Sequence, residues 1–258
     1  MDYSELFSLE NKKALVTGGT GGLGSEIAIA FINAGADVAV CGGHVEKAGE
    51  IIDYAEKSGR KCLAIKCNIK DEKSVNSMFD EIAEKFGNLD ILVNSAGKNI
   101  LIPAEDYETE SFLDVMNLNV TALHNVTRLA GKRFMIPKRH GKILNLSSVK
   151  SIIGTDKDYI AYCASKGAVN MYTKQLACEW GKYNINVNAI APTFVRTPIN
   201  SFQLDDEKFY KSLTDRIPLG RIGQKKDIAA AALFLCSEAA DFVTGQILCV
   251  DGGLTAKQ

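Results

Sequence analysis

Short apolar runs alternate with amphipathic stretches along the whole chain, and this alternation constrains the fold more than any other feature. The runs at 14–17, 38–40, 63–65, 91–93, 142–146, 185–190 and 247–250 are apolar throughout rather than at every second position. That is the pattern of strands covered on both faces. Helices are predicted between them over 23–34, 45–57, 73–86, 111–133, 162–180 and 227–236. In the first, Leu23, Ile27, Ala30, Phe31 and Ala34 fall on one side and Gly35 stops the helix. Parallel strands joined by right-handed helical crossovers imply an α/β fold, a doubly wound seven-stranded parallel sheet with helices on both faces. Its ligand belongs beyond the C-terminal strand ends, where the strand order reverses.

Composition narrows the class. The chain has 258 residues, 46% hydrophobic, with 30 Lys and Arg against 31 Asp and Glu. That suffices for one large core, and no basic cluster marks a nucleic-acid footprint. No repeat and no Pro/Ser/Gly-rich linker divides the chain, so a single domain over 1–258 is expected. No apolar run approaches the roughly 18–20 residues that span a bilayer. The first twelve residues carry Asp2, Glu5 and Glu10 and lack the basic-then-apolar order of a signal peptide. Seven Cys without a CxxC pair argue against a disulfide framework or a zinc site. His44, His124 and His140 are scattered and read as structural or surface residues, with no metal expected. The expectation is a cytoplasmic protein with neither nucleic-acid nor membrane partners.

The strand ends carry the chemistry. The first strand runs into Thr17-Gly18-Gly19-Thr20-Gly21-Gly22-Leu23-Gly24. A dinucleotide pyrophosphate needs a tight turn, bare backbone and a helix N-terminus facing it, and this segment supplies all three. Asn94-Ser95-Ala96-Gly97 follows the fourth strand, where small residues let a cofactor pass close. Ser147 and Ser148 follow the fifth, and Tyr162 and Lys166 lie one turn apart on the next helix. A free phenol, with pKa about 10, is a poor base at neutral pH. A neighbouring ammonium favours the phenolate and so makes Tyr162 a usable proton donor and acceptor. A Ser hydroxyl beside it can hold the substrate oxygen. The Tyr–Lys spacing alone carries little; its position just past a strand-end Ser pair carries the reading.

Taken together these residues resemble the short-chain dehydrogenase/reductase family in its compact single-domain Rossmann form. The resemblance runs from Lys13 to Gly253 and also includes Asn119, the run Asn186-Val187-Asn188-Ala189-Ile190-Ala191-Pro192, and Val250-Asp251-Gly252-Gly253. It implies that Tyr162 is the general acid/base, that Lys166 lowers its pKa and holds the nicotinamide ribose, and that Ser148, rather than Ser147, polarises the substrate oxygen. Asn119, with Asn117 as the alternative, would hold a water for proton relay. The cofactor would lie against Gly18, Thr20, Gly21, Gly22, Leu23 and Gly24, then Gly42, Gly43 and His44. Asn68 and Ile69, and then Asn94, Ala96 and Gly97, would meet its adenosine side. Pro192, Thr193, Val195 and Thr197 would clasp the nicotinamide carboxamide.

Three departures from the family pattern matter. Thr193 stands where a Gly usually follows Pro192, narrowing the pocket. The Ser148-to-Tyr162 interval is one residue longer than the commonest form of the family, and its charged tip Asp156-Lys157-Asp158 reads as solvated. The second strand ends Cys41-Gly42-Gly43-His44, without the acid that binds an adenosine 2′-hydroxyl and repels a 2′-phosphate. NADP is therefore expected over NAD.

Residues 194–217 should form a substrate lid, with Arg196, Asn200, Gln203 and Arg216 for polar reach and Phe194, Phe202 and Phe209 beside them. In wording, Phe7-Ser8-Leu9, 115–120 and 215–223 are most similar to the sugar-acid branch, the gluconate and deoxygluconate dehydrogenases. The 3-oxoacyl-carrier-protein reductases lie close by. The expected reaction is hydride transfer between the cofactor and a small ketone or secondary alcohol. A non-catalytic NADP-sensing protein on the same fold is the alternative of another class. The resemblance also implies a homotetramer, built through the two long helices.

Overall fold

A computed structural model describes residues 3–197 and 201–257, with every side chain among them except those of Phe202 and Gln203. Seven parallel strands, β1 (Lys13–Thr17), β2 (Asp37–Gly42), β3 (Cys62–Lys66), β4 (Ile91–Asn94), β5 (Gly141–Leu146), β6 (Ile185–Pro192) and β7 (Ile247–Val250), form one sheet. Their order is β3-β2-β1-β4-β5-β6-β7. The order reverses at β1, whose Thr17 lies opposite Cys41 of β2 on one side and Asn94 of β4 on the other. The loops leaving β1 and β4 diverge there and open the crevice in which this architecture binds ligands.

Helices cover both faces, as the uniformly apolar strands require. The core on one face joins α1 (Gly22–Asn33), α2 (Gly49–Lys57) and α10 (Lys225–Cys236) to β1 and β2 through Phe31, Ile27, Ile51 and Ile228. The other joins α3 (Glu72–Phe86) and α7 (Ile160–Trp180) to the sheet through Phe79, Ile82, Met135 and Leu176. Boundaries follow local chemistry. The Asp71 carboxylate accepts the Lys73 N–H at the head of α3, and Gly87 closes it with a left-handed φ of 71°. Gln224 and Asp227 form a reciprocal cap at the head of α10.

The helix expected over 111–133 is longer and less regular than its apolar spacing suggests. It begins with α4 (Thr109–Met116), widens into a π-helical segment (Asn117–Ala122), resumes as α5 (Leu123–Ala130), widens again (Gly131–Met135) and ends in α6 (Ile136–Lys138). The lid region contains two helices that apolar spacing did not reveal, α8 (Ser201–Leu204) and α9 (Glu207–Thr214), the latter capped by the Asp206 carboxylate.

Candidate active site

The loop between β1 and α1 is shaped by close approach. Gly18, at φ 64°, donates its N–H to the Cys41 carbonyl at 2.8 Å, and a Cβ there would stand 3.0 Å from the backbone of Ala96. Gly24 is tighter still, since its Cβ would lie 2.5 Å from the Gly18 carbonyl oxygen. These two glycines press the first turn of α1 against the loop. The Thr17 hydroxyl joins the β4 exit to this loop by accepting from the Ser95 and Ala96 N–H groups at 3.1 and 3.3 Å.

The head of α1 suits an anion. Gly21, its N-cap, provides no side-chain hydrogen bond, so the first N–H groups of the helix are uncapped. Space is open where side chains would stand at Gly21, Gly22 and Gly43, whereas a Cβ on Gly42 would meet the Thr20 hydroxyl at 3.0 Å. At the far end of the crevice, beyond Pro192, the Thr193 hydroxyl is buried without a hydrogen-bond partner among the described residues. A dinucleotide fits this frame, with its phosphates at the helix N-terminus and a polar group beside Thr193.

The four expected catalytic residues converge at the β5 exit. Ser148 heads a 3-10 turn (Val149–Ser151), and its Oγ accepts the Lys150 N–H at 3.2 Å. Tyr162 and Lys166 share a face of α7, with the Lys166 Nζ 5.6 Å from the Tyr162 ring centroid. Burial pushes the Tyr162 phenol above the ordinary tyrosine value, and the hydrogen bond with Ser148 pulls it back. Lys166 is fully enclosed and donates to the Leu146 carbonyl at 2.6 Å, and burial lowers its ammonium to about 8. At Tyr162 desolvation outweighs the pull of Ser148.

Asn119 lies in the first π-helical segment, where the wide turn swings its amide toward β4 and α7. Its Nδ2 donates to the Lys98 carbonyl and the Ser165 hydroxyl, both at 2.9 Å, while Oδ1 accepts the Lys98 N–H at 2.9 Å. Ser165 in turn donates to the Tyr162 carbonyl at 2.8 Å. With both amide protons engaged, Asn119 pins the backbone after Gly97 to the helix bearing Tyr162. Asn117 lies two residues earlier in the same segment.

Other expected residues are drawn elsewhere. Ser147 turns from the cleft, donating to the Asn170 Oδ1 at 2.6 Å. The Asn94 amide is buried, giving its protons to the Thr127 hydroxyl and the Asn145 Oδ1, both at 2.9 Å, while its own Oδ1 has no partner among the described residues. The His44 ring is exposed and lies 3.0 Å from the Glu46 carboxylate. Asn68 is exposed and folds its side chain onto the Lys70 N–H, whereas Ile69 is buried.

In the lid, Arg196 is paired with Asp205 at 2.7 Å. Phe194 and Phe209 stack edge to face at 6.0 Å within a small lid core around Leu204, Ile217 and Ile222. Neither phenyl group is held out toward substrate. Asn200 and the side chains of Phe202 and Gln203 lie outside the described residues. Asp156, Lys157 and Asp158 form an exposed tip, as expected. Thr17 and Ser165 stand inside motifs that sequence reading quoted, yet their roles emerge only from the contacts.

The family model described as enoyl-(acyl carrier protein) reductase matches residues 18–255. Among known proteins, the chain is 41% identical over 251 residues to the 2-dehydro-3-deoxy-D-gluconate 5-dehydrogenase of Bacillus subtilis (strain 168), covering 96% of each. It is 42% identical over 246 residues to the 3alpha-hydroxysteroid dehydrogenase of Mediterraneibacter gnavus, covering 95% of this chain and 97% of that one. Among solved structures, a gluconate 5-dehydrogenase from Burkholderia cenocepacia J2315 in complex with NADP and tartrate superposes with a TM-score of 0.92 at 35% identity, covering 98% of this chain and 99% of that one. With a matching family model, near-complete coverage and a closely superposing solved relative, the chain belongs to the short-chain dehydrogenase/reductase family of oxidoreductases.

Proposed function

We propose that this protein is a single-domain, NADP-dependent oxidoreductase that interconverts a ketone and a secondary alcohol on a sugar-acid substrate. The observation that carries the reading is the convergence of Ser148 at the β5 exit with the Tyr162 phenol and the enclosed Lys166 ammonium, which share one helix face. Bound NADP(H) supplies or accepts the hydride at the substrate carbon. In reduction, Tyr162 gives its proton to the substrate oxygen as negative charge grows there, and Ser148 donates a second hydrogen bond to that oxygen. Lys166 stabilises the resulting phenolate, a charge that burial alone disfavours. Asn119 is a positioning residue that holds the Gly97–Lys98 backbone and α7 in register.

Residues 18–24 would hold the pyrophosphate, Gly42 and Gly43 the adenosine 2′-phosphate, and Pro192, Thr193, Val195 and Thr197 the carboxamide. Three things support NADP over NAD: the open turn at Gly43, the absence of an acid at the end of β2, and the NADP-bound relative. The relatives' names support a sugar acid, and so does a lid whose aromatic rings pack inward. The steroid-acting relative supports a larger apolar substrate, which a substrate panel separates from the first reading.

We also assign the protein to the cytoplasm as a homotetramer. All seven cysteines are free thiols, and no described helix is long and apolar enough to cross a membrane. Two separate apolar patches face solvent, Leu113 and Met171 on α4 and α7, and Phe242 and Leu248 beside the edge strand β7. Two independent self-complementary patches support a closed tetramer.

The test is Tyr162→Phe. Turnover of a keto-sugar acid, followed by loss of NADPH absorbance, should fall by about 10²–10⁴-fold, the usual worth of a positioned acid/base. NADPH binding, followed by fluorescence, should persist. Full activity in that variant overturns the mechanism. NADPH binding with no turnover by wild type on sugar-acid, 3-oxoacyl and steroid ketones favours the sensor.

A further inference from the structure

Lys150 stands two residues beyond Ser148, and its N–H is one of the bonds that fix Ser148. Its side chain is half-buried. The Nζ lies 5.4 Å from the centroid of Tyr159, and the Tyr159 ring meets that of Tyr162 edge to face at 6.1 Å. A lysine ammonium thus sits one aromatic ring away from the proposed acid/base, on the wall of the cleft.

That ammonium has no carboxylate partner among the described residues; every ion pair there is made by another cation. Its contact with Tyr159 is worth about 0.5–1 kcal/mol at partly exposed sites, too little to replace the water that burial removes. Burial first, and then the Arg216 guanidinium from the lid, hold the Lys150 ammonium below the ordinary lysine range, with Cys163 and then Asp156 opposing weakly. Arg216 is exposed and likewise makes no ion pair among the described residues. The Lys150 ammonium thus sits beside the reacting group without an ion-pair partner, and Arg216 adds a second positive charge to its surroundings. The arrangement is electrostatically unfavourable until an anion joins it.

We propose that Lys150, assisted by Arg216, binds the carboxylate of the substrate and so selects acids over neutral carbonyl compounds. This rests on the oxidoreductase reading above and adds the anion subsite that the reading lacks. A carboxylate held at Lys150 fixes one end of a short polyhydroxy chain, leaving its carbonyl to Ser148 and Tyr162. Lys150 is then a specificity-determining residue whose backbone also braces Ser148.

The test titrates the NADPH-loaded protein by calorimetry with gluconate and with gluconamide, which differ only in the charge of the terminal group. Wild type should prefer gluconate by about 10- to 100-fold, the worth of one charge-assisted contact. Lys150→Met should bring the ratio of the two affinities to about one. Lys150→Arg, which keeps the cation, should hold the ratio within about threefold of wild type, so a preference lost through misfolding is told from one lost with the charge. Equal binding of the two compounds by wild type, binding of neither, or an unchanged ratio in Lys150→Met overturns the subsite. Ketone reduction without a gluconate preference would leave the oxidoreductase standing and remove the subsite; the preference without reduction would do the reverse.

Discussion

At the scale of single residues, the site is governed by what burial does to charge. Lys166 is enclosed, and its ammonium titrates at about 8 instead of 10.5. Tyr162 moves the other way and keeps its proton to higher pH. Reduction needs a proton on Tyr162 and a cation at Lys166, so the charge on Lys166 is lost first as pH rises. Reductive kcat/KM should be flat below about pH 7 and fall with a single ionisation near 8. The stability contribution of the same group has the opposite sign. Between about 8 and 10.5 the unfolded chain holds a proton that the folded chain has released, so folding gains from this lysine as pH climbs through that window. Falling activity with no falling melting temperature is therefore the signature. Lys166→Arg stays charged throughout and should carry the decline to higher pH in whatever activity remains. A wild-type profile flat from pH 6 to 10 would remove Lys166 from the mechanism.

At the scale of elements, the β1–α1 turn separates what the fold needs from what a ligand needs. A methyl group at Gly24 would press within 2.5 Å of the Gly18 carbonyl, a backbone atom that cannot swing away. Gly24→Ala should lower stability by about 1–3 kcal/mol, as overpacking does, and weaken NADPH binding with it. Gly21 has an extended φ of −174° and open space at its Cβ position. Gly21→Ala should keep the wild-type melting temperature yet weaken NADPH binding, because the methyl occupies ligand space. Equal thermal loss in the two variants would contradict this division.

The same turn shows how much could be read in the sequence. Strand ends and glycine spacing are local, and their consequences follow from periodicity and from the demands of a pyrophosphate. The π-helical segment at Asn119 was not legible, because Asn117-Leu118-Asn119-Val120 carries no propensity signal for a widened turn. Its cause is tertiary, the bonds to Lys98 and Ser165. Asn94 shows a related limit: its place at a strand end points to the cofactor, and only the fold shows that Thr127 and Asn145, distant in sequence, engage its side-chain amide. Lys150 carries no signal of its own in the sequence, because only the fold lays its ammonium against Tyr159.

At the scale of the whole molecule, the two edges of the sheet differ. β3 ends in the exposed Lys66, with Asn68 and Lys70 exposed just beyond it, and charge at an edge discourages pairing with another chain. β7 presents Ile247, Leu248, Cys249 and Val250, with Leu248 more than a third exposed and Phe242 fully so. On a different flank, Leu113 and Met171 are 50% and 61% exposed on α4 and α7. In the tetramer proposed above, a two-fold contact at the apolar edge and another at the apolar helix pair would bury both. Four chains of 28.0 kDa should therefore sediment near 112 kDa. Leu113→Glu combined with Met171→Glu puts two charges on each side of one interface and leaves the β7 contact untouched. Each buried side chain of this size contributes about 1.5–3 kcal/mol, so the double variant should fall to a species half the wild-type mass. A wild type sedimenting as one chain would mean that neither patch is an interface. A double variant that remains at full mass would mean that the helices do not form one.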